Sequence, residues 1–184
     1  MTKKAPFSIS KAEKGKLIKA VVYGANDGIV TTFAVVAGVA GAGLSPAVVL
    51  VLGFANLFAD GISMGMGDYL GERSEQRFRS HHQLHNKDEG PLWVSGVVTF
   101  CGFLSAGILP LMPYVLQALG LNIPTESQFL ASILATGTTL FVVGSARTFL
   151  TKGIWWKNGI EMLIIGAIAA TAAYATGFFI QAIV

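Results

Sequence analysis

Apolar residues along the chain gather into five runs, each close to the roughly 20 residues an α-helix needs to cross a bilayer. Their approximate limits are Leu17–Ala42, Pro46–Leu70, Leu92–Leu116, Phe129–Leu150 and Gly159–Ile183. Ser45-Pro46 and Gly90-Pro91 read as helix starts, with proline in the first turn, where its missing N–H leaves no bond unmade. Pro110 and Pro113 predict a kink or an end in the third run, and Asn122-Ile123-Pro124-Thr125 predicts a turn before the fourth. The expected fold is an all-α integral membrane protein, a five-transmembrane-helix bundle. It forms one transmembrane domain over residues 1–184, with a basic tail at 1–16 and a short loop at 73–90 between the second and third helices. Lysines, an apolar stretch and Ala40-Gly41-Ala42 give the N-terminus the outline of a signal peptide. The stretch is too long for one, and Asn26-Asp27 interrupt it, so it reads as a true first helix.

Polar residues interrupt the runs in a pattern of their own. Asn56, Asp60, Met64, Asp68 and Glu72 recur every fourth residue, which on an α-helix places all five on one slowly drifting face. The residues around them are lipid-like: Val48 through Phe54, then Ala55, Leu57, Phe58 and Ala59. A carboxylate at mid-bilayer costs about 2.5–3.5 kcal/mol on insertion scales, so it is retained where it faces a cavity, an ion or a partner. Carboxylate oxygens beside a thioether form a mixed hard and soft set that can hold a divalent transition metal. In the first helix Tyr23, Asp27 and Thr31 share a face. Asp27 lies about 10 residues, or roughly 15 Å, into its span. The structural alternatives are an Asp27 that caps a neighbouring helix or bonds a threonine, an Asp60 held by Asn56 or backbone, and a Met64 that fills core. Gly24/Gly28, Gly61/Gly65 and Gly67/Gly71 are small-xxx-small pairs, which predict close packing of the first two helices or of two protomers.

Composition narrows the class. Mean hydropathy is +0.62 and only 12% of residues are charged, where a soluble domain carries about 25%. A large soluble domain has no room. The single cysteine, Cys101, excludes an internal disulfide and a CxxC site, and reads as a small apolar filler. Charge reports topology. Lys3, Lys4, Lys11, Lys14, Lys16 and Lys19 precede or open the first helix. Arg73, Arg77, Arg79 and Lys87 follow the second. Arg147, Lys152 and Lys157 lie between the fourth and fifth. These are all 13 basic residues of the chain, and with five spans they share one side, while the other side carries only Glu126. The positive-inside rule then puts the N-terminus in the cytoplasm and the C-terminus outside. A net charge of +3 distributed in this way gives no support to a nucleic-acid partner. Glu161, four residues after Lys157, reads as an interface pair, and Arg147 as a snorkelling side chain. Thr136, Thr138 and Thr139 can bond within their own helix.

After the second run come His81, His82 and His85, then Asp88 and Glu89. If the second helix continues beyond the membrane, His81, His85 and Glu89 align at i, i+4 and i+8. With Glu72 and Glu75 they form a candidate cytoplasmic metal-capture group, since neutral imidazole is a good ligand for first-row metals. A solvated loop is the plainer alternative. Gly65-Met66-Gly67-Asp68 matches the GxGD of intramembrane aspartyl proteases. Such an enzyme needs a second aspartate sharing a proton, and only Asp27 or Asp60 could supply it. No Tyr-Asp dipeptide and no Pro-Ala-Leu triplet accompanies the match, and the chain is not read as an enzyme.

The stretch from Asp27 through Gly38 (DGIVTTFAVVAG), followed by Leu52 through Gly65 (LGFANLFADGISMG), resembles the vacuolar iron transporter family. The resemblance is specific through the first two helices; beyond them it rests on helix count and topology. It implies five-helix subunits that assemble as dimers, with an ion path near the dimer interface. It implies movement of Fe²⁺, and often Mn²⁺, out of the cytosol in exchange for protons. The family's path residues, an Asp in helix one and a Met in helix two, fall on Asp27 and Met64. Adding the stripe gives a transport path of Asp27, Met64, Asp60, Asn56 and Asp68. The partners implied are divalent metal ions, protons, the lipid bilayer and a second copy of the chain. No resident cofactor is implied, because Fe²⁺ or Mn²⁺ is the cargo. The expected location is the plasma (inner) membrane of a prokaryote. One departure stands out: plant members carry a long helical cytoplasmic domain between helices two and three. Here that loop is short, and only Glu72, Glu75, Asp88, Glu89 and the histidines are available in its place. An uncoupled metal channel and a metal-sensing membrane protein are the competing readings.

Overall fold

The computed structural model describes residues 11–82, 91–148 and 153–183, and among these all regular structure is helical. The helices are α1 (Lys11–Gly41), α2 (Pro46–His81), α3 (Trp93–Gly107), α4 (Met112–Ala118), α5 (Thr125–Ala146) and α6 (Trp155–Gln181). α3 and α4 form one span broken by a 3₁₀ turn at Leu109–Leu111, so five helical segments are long and apolar enough to cross a membrane. The expected count of five stands.

The break falls where Pro110 and Pro113 predict it, because each proline lacks an N–H and clashes with the preceding turn. At the break the Pro110 carbonyl accepts a 2.6 Å bond from the Ser132 hydroxyl of α5. The bond ties the break to a neighbouring helix, whose side chains can serve backbone that a broken helix exposes. Between α1 and α2 the chain reverses tightly. Gly43 adopts φ 62°, and the Leu44 N–H bonds back to the Val39 carbonyl at 3.1 Å. That is the left-handed glycine cap that closes many helices. Pro46 then opens α2, as expected.

Several ends differ from the hydropathy reading. α2 runs well past Leu70, to His81, so the first part of the expected 73–90 loop is helical. Outside the membrane its backbone is supported by polar side chains. Arg79 pairs with Glu75 one turn back, and the Ser74 and Ser80 hydroxyls bond the Leu70 and Gln76 carbonyls. Pro91 stays outside α3, its carbonyl accepting from the Val94 N–H. α5 starts at Thr125 and α6 at Trp155, each a turn earlier than expected, and α5 ends at Ala146. The expected end at Leu150 lies outside the described residues.

α3 is the hub. Gly24 and Gly28 of α1 lie so close to it that a Cβ on either would collide with the backbone of Thr99 or Phe103. α2 crosses α3 where a Cβ on Gly65 would meet the Gly96 carbonyl oxygen at 2.8 Å. The glycine pairs therefore join α1 and α2 each to α3, and not to one another as the first alternative had it. Gly67 and Gly71 are the exception, since a Cβ there would meet open space. Phe103 is fully buried at the hub. One core cluster gathers Phe33, Val36, Val49, Leu111 and Tyr114, and another gathers Ile29, Ala106, Leu140 and Met162. Large apolar side chains such as Ile168 and Phe179 point outward, as lipid requires. Trp93, Trp155 and Trp156 are exposed at the starts of α3 and α6, the end of the bundle where the basic residues lie. That is the position of an interfacial aromatic belt. Cys101 is exposed on α3, not a buried filler.

Candidate functional site

The expected stripe exists on α2 and is half-buried throughout: Asn56, Asp60, Met64, Asp68 and Glu72 all lie beside the buried Gly53, Leu57, Gly61 and Gly65 row. Its members are not equivalent. Asp68 is held by α3, with Oδ2 accepting from the Ser95 hydroxyl at 2.5 Å and from the Thr99 hydroxyl at 2.8 Å. Glu72 accepts from Lys16 of α1 at 3.1 Å, and Glu75 pairs with Arg79. These three acids are answered by hydroxyls or cations.

Asp27 and Asp60 differ. Both are half-buried, on α1 and α2, which pack against each other. Thr31 donates to the Asp27 main-chain carbonyl at 2.8 Å, which leaves the carboxylate itself untouched. Among the described residues no hydrogen-bond donor or cation answers either carboxylate. Met64 lies one helical turn from Asp60 toward the basic end, and Asn56 one turn away on the other side. The Asn56 Nδ2 is buried without a partner. Two unanswered carboxylates, a thioether and a carboxamide thus share one flank of α1 and α2. Among the described residues no three His, Cys, Asp or Glu side chains converge on a common point.

Beyond the membrane, His81 is the exposed last residue of α2, and His82 caps the helix with its ring against Phe78. α2 is described as far as His81; His85, Asp88 and Glu89, on which the expected helical line-up depends, lie outside the described residues. The GxGD aspartate, Asp68, faces two hydroxyls and no second carboxylate. Glu161 pairs with Arg147 across 3.8 Å, so its ion pair joins α6 to the end of α5 and Arg147 does more than snorkel. Thr138 and Thr139 bond their own helix as expected, whereas the Thr136 hydroxyl is buried without a partner. Ser95 and Thr99 went unnoticed in the sequence. Their signal was an i, i+4 hydroxyl pair near the start of a mostly apolar third helix.

A sequence model described as VIT family matches residues 18–90 and 77–178, from within α1 to within α6. A vacuolar iron transporter of Toxoplasma gondii is 29% identical over 227 aligned positions, covering 91% of this chain and 75% of that protein. Vacuolar iron transporter 1 of Eucalyptus grandis is 24% identical, with 91% and 88% covered, and that of Arabidopsis thaliana 23%, with 91% and 87% covered. The alignments run to more positions than the 184 residues of this chain, so these relatives carry segments it lacks. The resemblance read from the first two helices thus extends over most of the sequence, and the chain belongs to the VIT family.

Proposed function

We propose that the protein is a divalent transition-metal transporter that moves Fe²⁺, and Mn²⁺ with it, out of the cytoplasm in exchange for protons, along a path past Asp27, Asp60 and Met64. The observation that carries this reading is the contrast among the acids. Asp68 accepts from two hydroxyls and Glu72 and Glu75 are ion-paired, while among the described residues no donor or cation answers Asp27 on α1 or Asp60 on the adjoining α2. Two ionised carboxylates repel, and a divalent cation placed between them removes that repulsion. The Met64 sulfur favours a transition metal over Mg²⁺ or Ca²⁺. Only deprotonated carboxylates ligate, so metal and protons compete for one site. Exposing that site to each side in turn converts the competition into exchange. The names of the relatives support iron as cargo.

A homodimer completes the reading. Ala55, Ala59, Ser63, Gly67 and Gly71 form an exposed row of small residues beside the acidic stripe, which suits close approach of a second helix. A partner there would double the partial ligand set. The basic end is taken as cytoplasmic. The family match comes in two segments that overlap at 77–90, which supports placing the missing segment of the longer relatives after α2. His81, His85 and Glu89 then serve as a reduced capture group, with Glu72 and Glu75 joining it only by exchanging Lys16 and Arg79 for metal.

Reconstitution into liposomes tests the proposal, with Fe²⁺ and Mn²⁺ uptake read beside an internal pH dye. Metal entry with opposed proton movement is expected. Metal entry without a pH change favours the channel, and no metal entry by folded protein removes the reading.

A further inference from the structure

On the side of α2 opposite the acidic stripe, an apolar groove of about 340 Å³ runs between α2 and α3. Its floor is the Gly65/Gly96 crossing, and its walls are Ile62, Met66 and Tyr69 on α2 and Trp93, Val97 and Phe100 on α3. Ile62, Met66, Trp93 and Val97 are all about half exposed or more. The spacing Ile62, Met66, Tyr69, Arg73 keeps one helical face, so Arg73 lies one turn beyond the groove at the basic end, with Arg77 a further turn on. Both arginines are exposed. The neighbouring acids are engaged elsewhere, Glu72 by Lys16 and Glu75 by Arg79, and among the described residues no acid pairs with Arg73 or Arg77.

The geometry points to a binding site for an anionic phospholipid, with one acyl chain lying in the Ile62–Phe100 groove and the headgroup phosphate held by Arg73 and Arg77. The volume is in the range of small-ligand sites. In a bilayer the tail gains little by leaving other tails, so selectivity resides in the headgroup. Guanidinium groups bind phosphate through paired hydrogen bonds, and basic pockets between membrane helices are sites for anionic headgroups. The exposed Trp93 indole stands at the same level, where an interfacial ring sits against glycerol and headgroup. This site is independent of the transport path and of the metal.

Electron paramagnetic resonance of the full chain in phosphatidylcholine bilayers, doped with chain-labelled phosphatidylglycerol or phosphatidylcholine, tests it. The protein is expected to immobilise the anionic lipid in preference. Arg73→Gln and Arg77→Gln should each lower that preference about fivefold, or about 1 kcal/mol. Lys157→Gln removes one charge at the same end but away from the groove, and should leave the preference unchanged. Val97→Trp fills the groove and should release the immobilised label; Ile62→Trp does so from the other wall if the first variant fails to fold. Soluble glycerophosphoglycerol should not displace the lipid. The proposal is overturned by equal immobilisation of both lipids, by arginine variants indistinguishable from Lys157→Gln, by groove-filled variants that still hold the label, or by displacement with the soluble headgroup.

Discussion

Asp27 sets the sharpest test at the scale of single residues. Asp27→Asn preserves size and hydrogen bonding and removes the charge that binds a metal ion or a proton. Because no donor answers that carboxylate, the fold loses little. Metal flux and the linked pH change should both vanish while the melting temperature holds. A fall in thermal stability with per-molecule flux intact would instead make Asp27 structural. Met64→Leu keeps volume and apolarity, a swap that usually costs under about 1.5 kcal/mol; it should weaken transport more than folding. Asp68 predicts the reverse pattern. Its two hydroxyl donors tie α2 to α3, and hydrogen bonds between membrane helices are worth about 0.6–2 kcal/mol each. Thr99→Val should lower the melting temperature and spare most of the flux. The candidate residues were legible in the sequence as candidates, because acids in an apolar run are few and helical spacing groups them. Their division into answered and unanswered was not, since it depends on hydroxyls from another helix and on a lysine that only the tertiary fold brings to Glu72.

Elements were legible to the extent that lipid dictates them. A chain in hydrocarbon must satisfy its backbone internally, so apolar length alone located five spans, and two prolines located the break in the third. What hydropathy could not show is where a helix continues into water. α2 passes Leu70 because Glu75–Arg79 and serine-to-carbonyl bonds support it there, and no hydropathy scale registers those. Partner choice among helices was equally hidden: Gly24 and Gly28 announce close packing but not that α3 is the partner. The distinction is measurable. Gly28→Ala presses a methyl into the Phe103 backbone and should destabilise by about 1–3 kcal/mol. Gly15→Ala, near the start of α1, meets open space and should be neutral or stabilising by up to about 1 kcal/mol through helix propensity. Thermal unfolding of the two variants side by side checks this. At the water end of α2, replacing His81, His82 and His85 by alanine should raise the apparent KM for metal and leave maximal flux largely intact, because the sequence reaches them only after the apolar run of the second span has ended.

For the molecule as a whole, charge and shape each make a claim. All basic residues fall at one end of five spans, so a cysteine at position 2, in a Cys101→Ala background, should resist membrane-impermeant thiol reagents applied to intact cells; labelling there would reverse the topology. Shape concerns the outer face of α2. A lone subunit leaves the row Ala55, Ala59, Ser63, Gly67 and Gly71 uncovered and the carboxylates of Asp27 and Asp60 unanswered. A bilayer penalises both, since small residues leave a groove that lipid tails fill poorly and an unanswered acid near mid-span is expensive. A second copy across that row resolves both at once, bringing its own Asp27, Asp60 and Met64 toward the first set. Ala59→Leu with Gly67→Leu fills the row without touching the subunit's own core. The variant should therefore fold, appear as a monomer when its mass is measured in detergent and corrected for bound detergent, and carry no metal in liposomes. The wild type should appear as a dimer and transport. A monomeric variant that transports at the wild-type rate would place the whole path inside one subunit, and a dimeric variant would move the interface off α2.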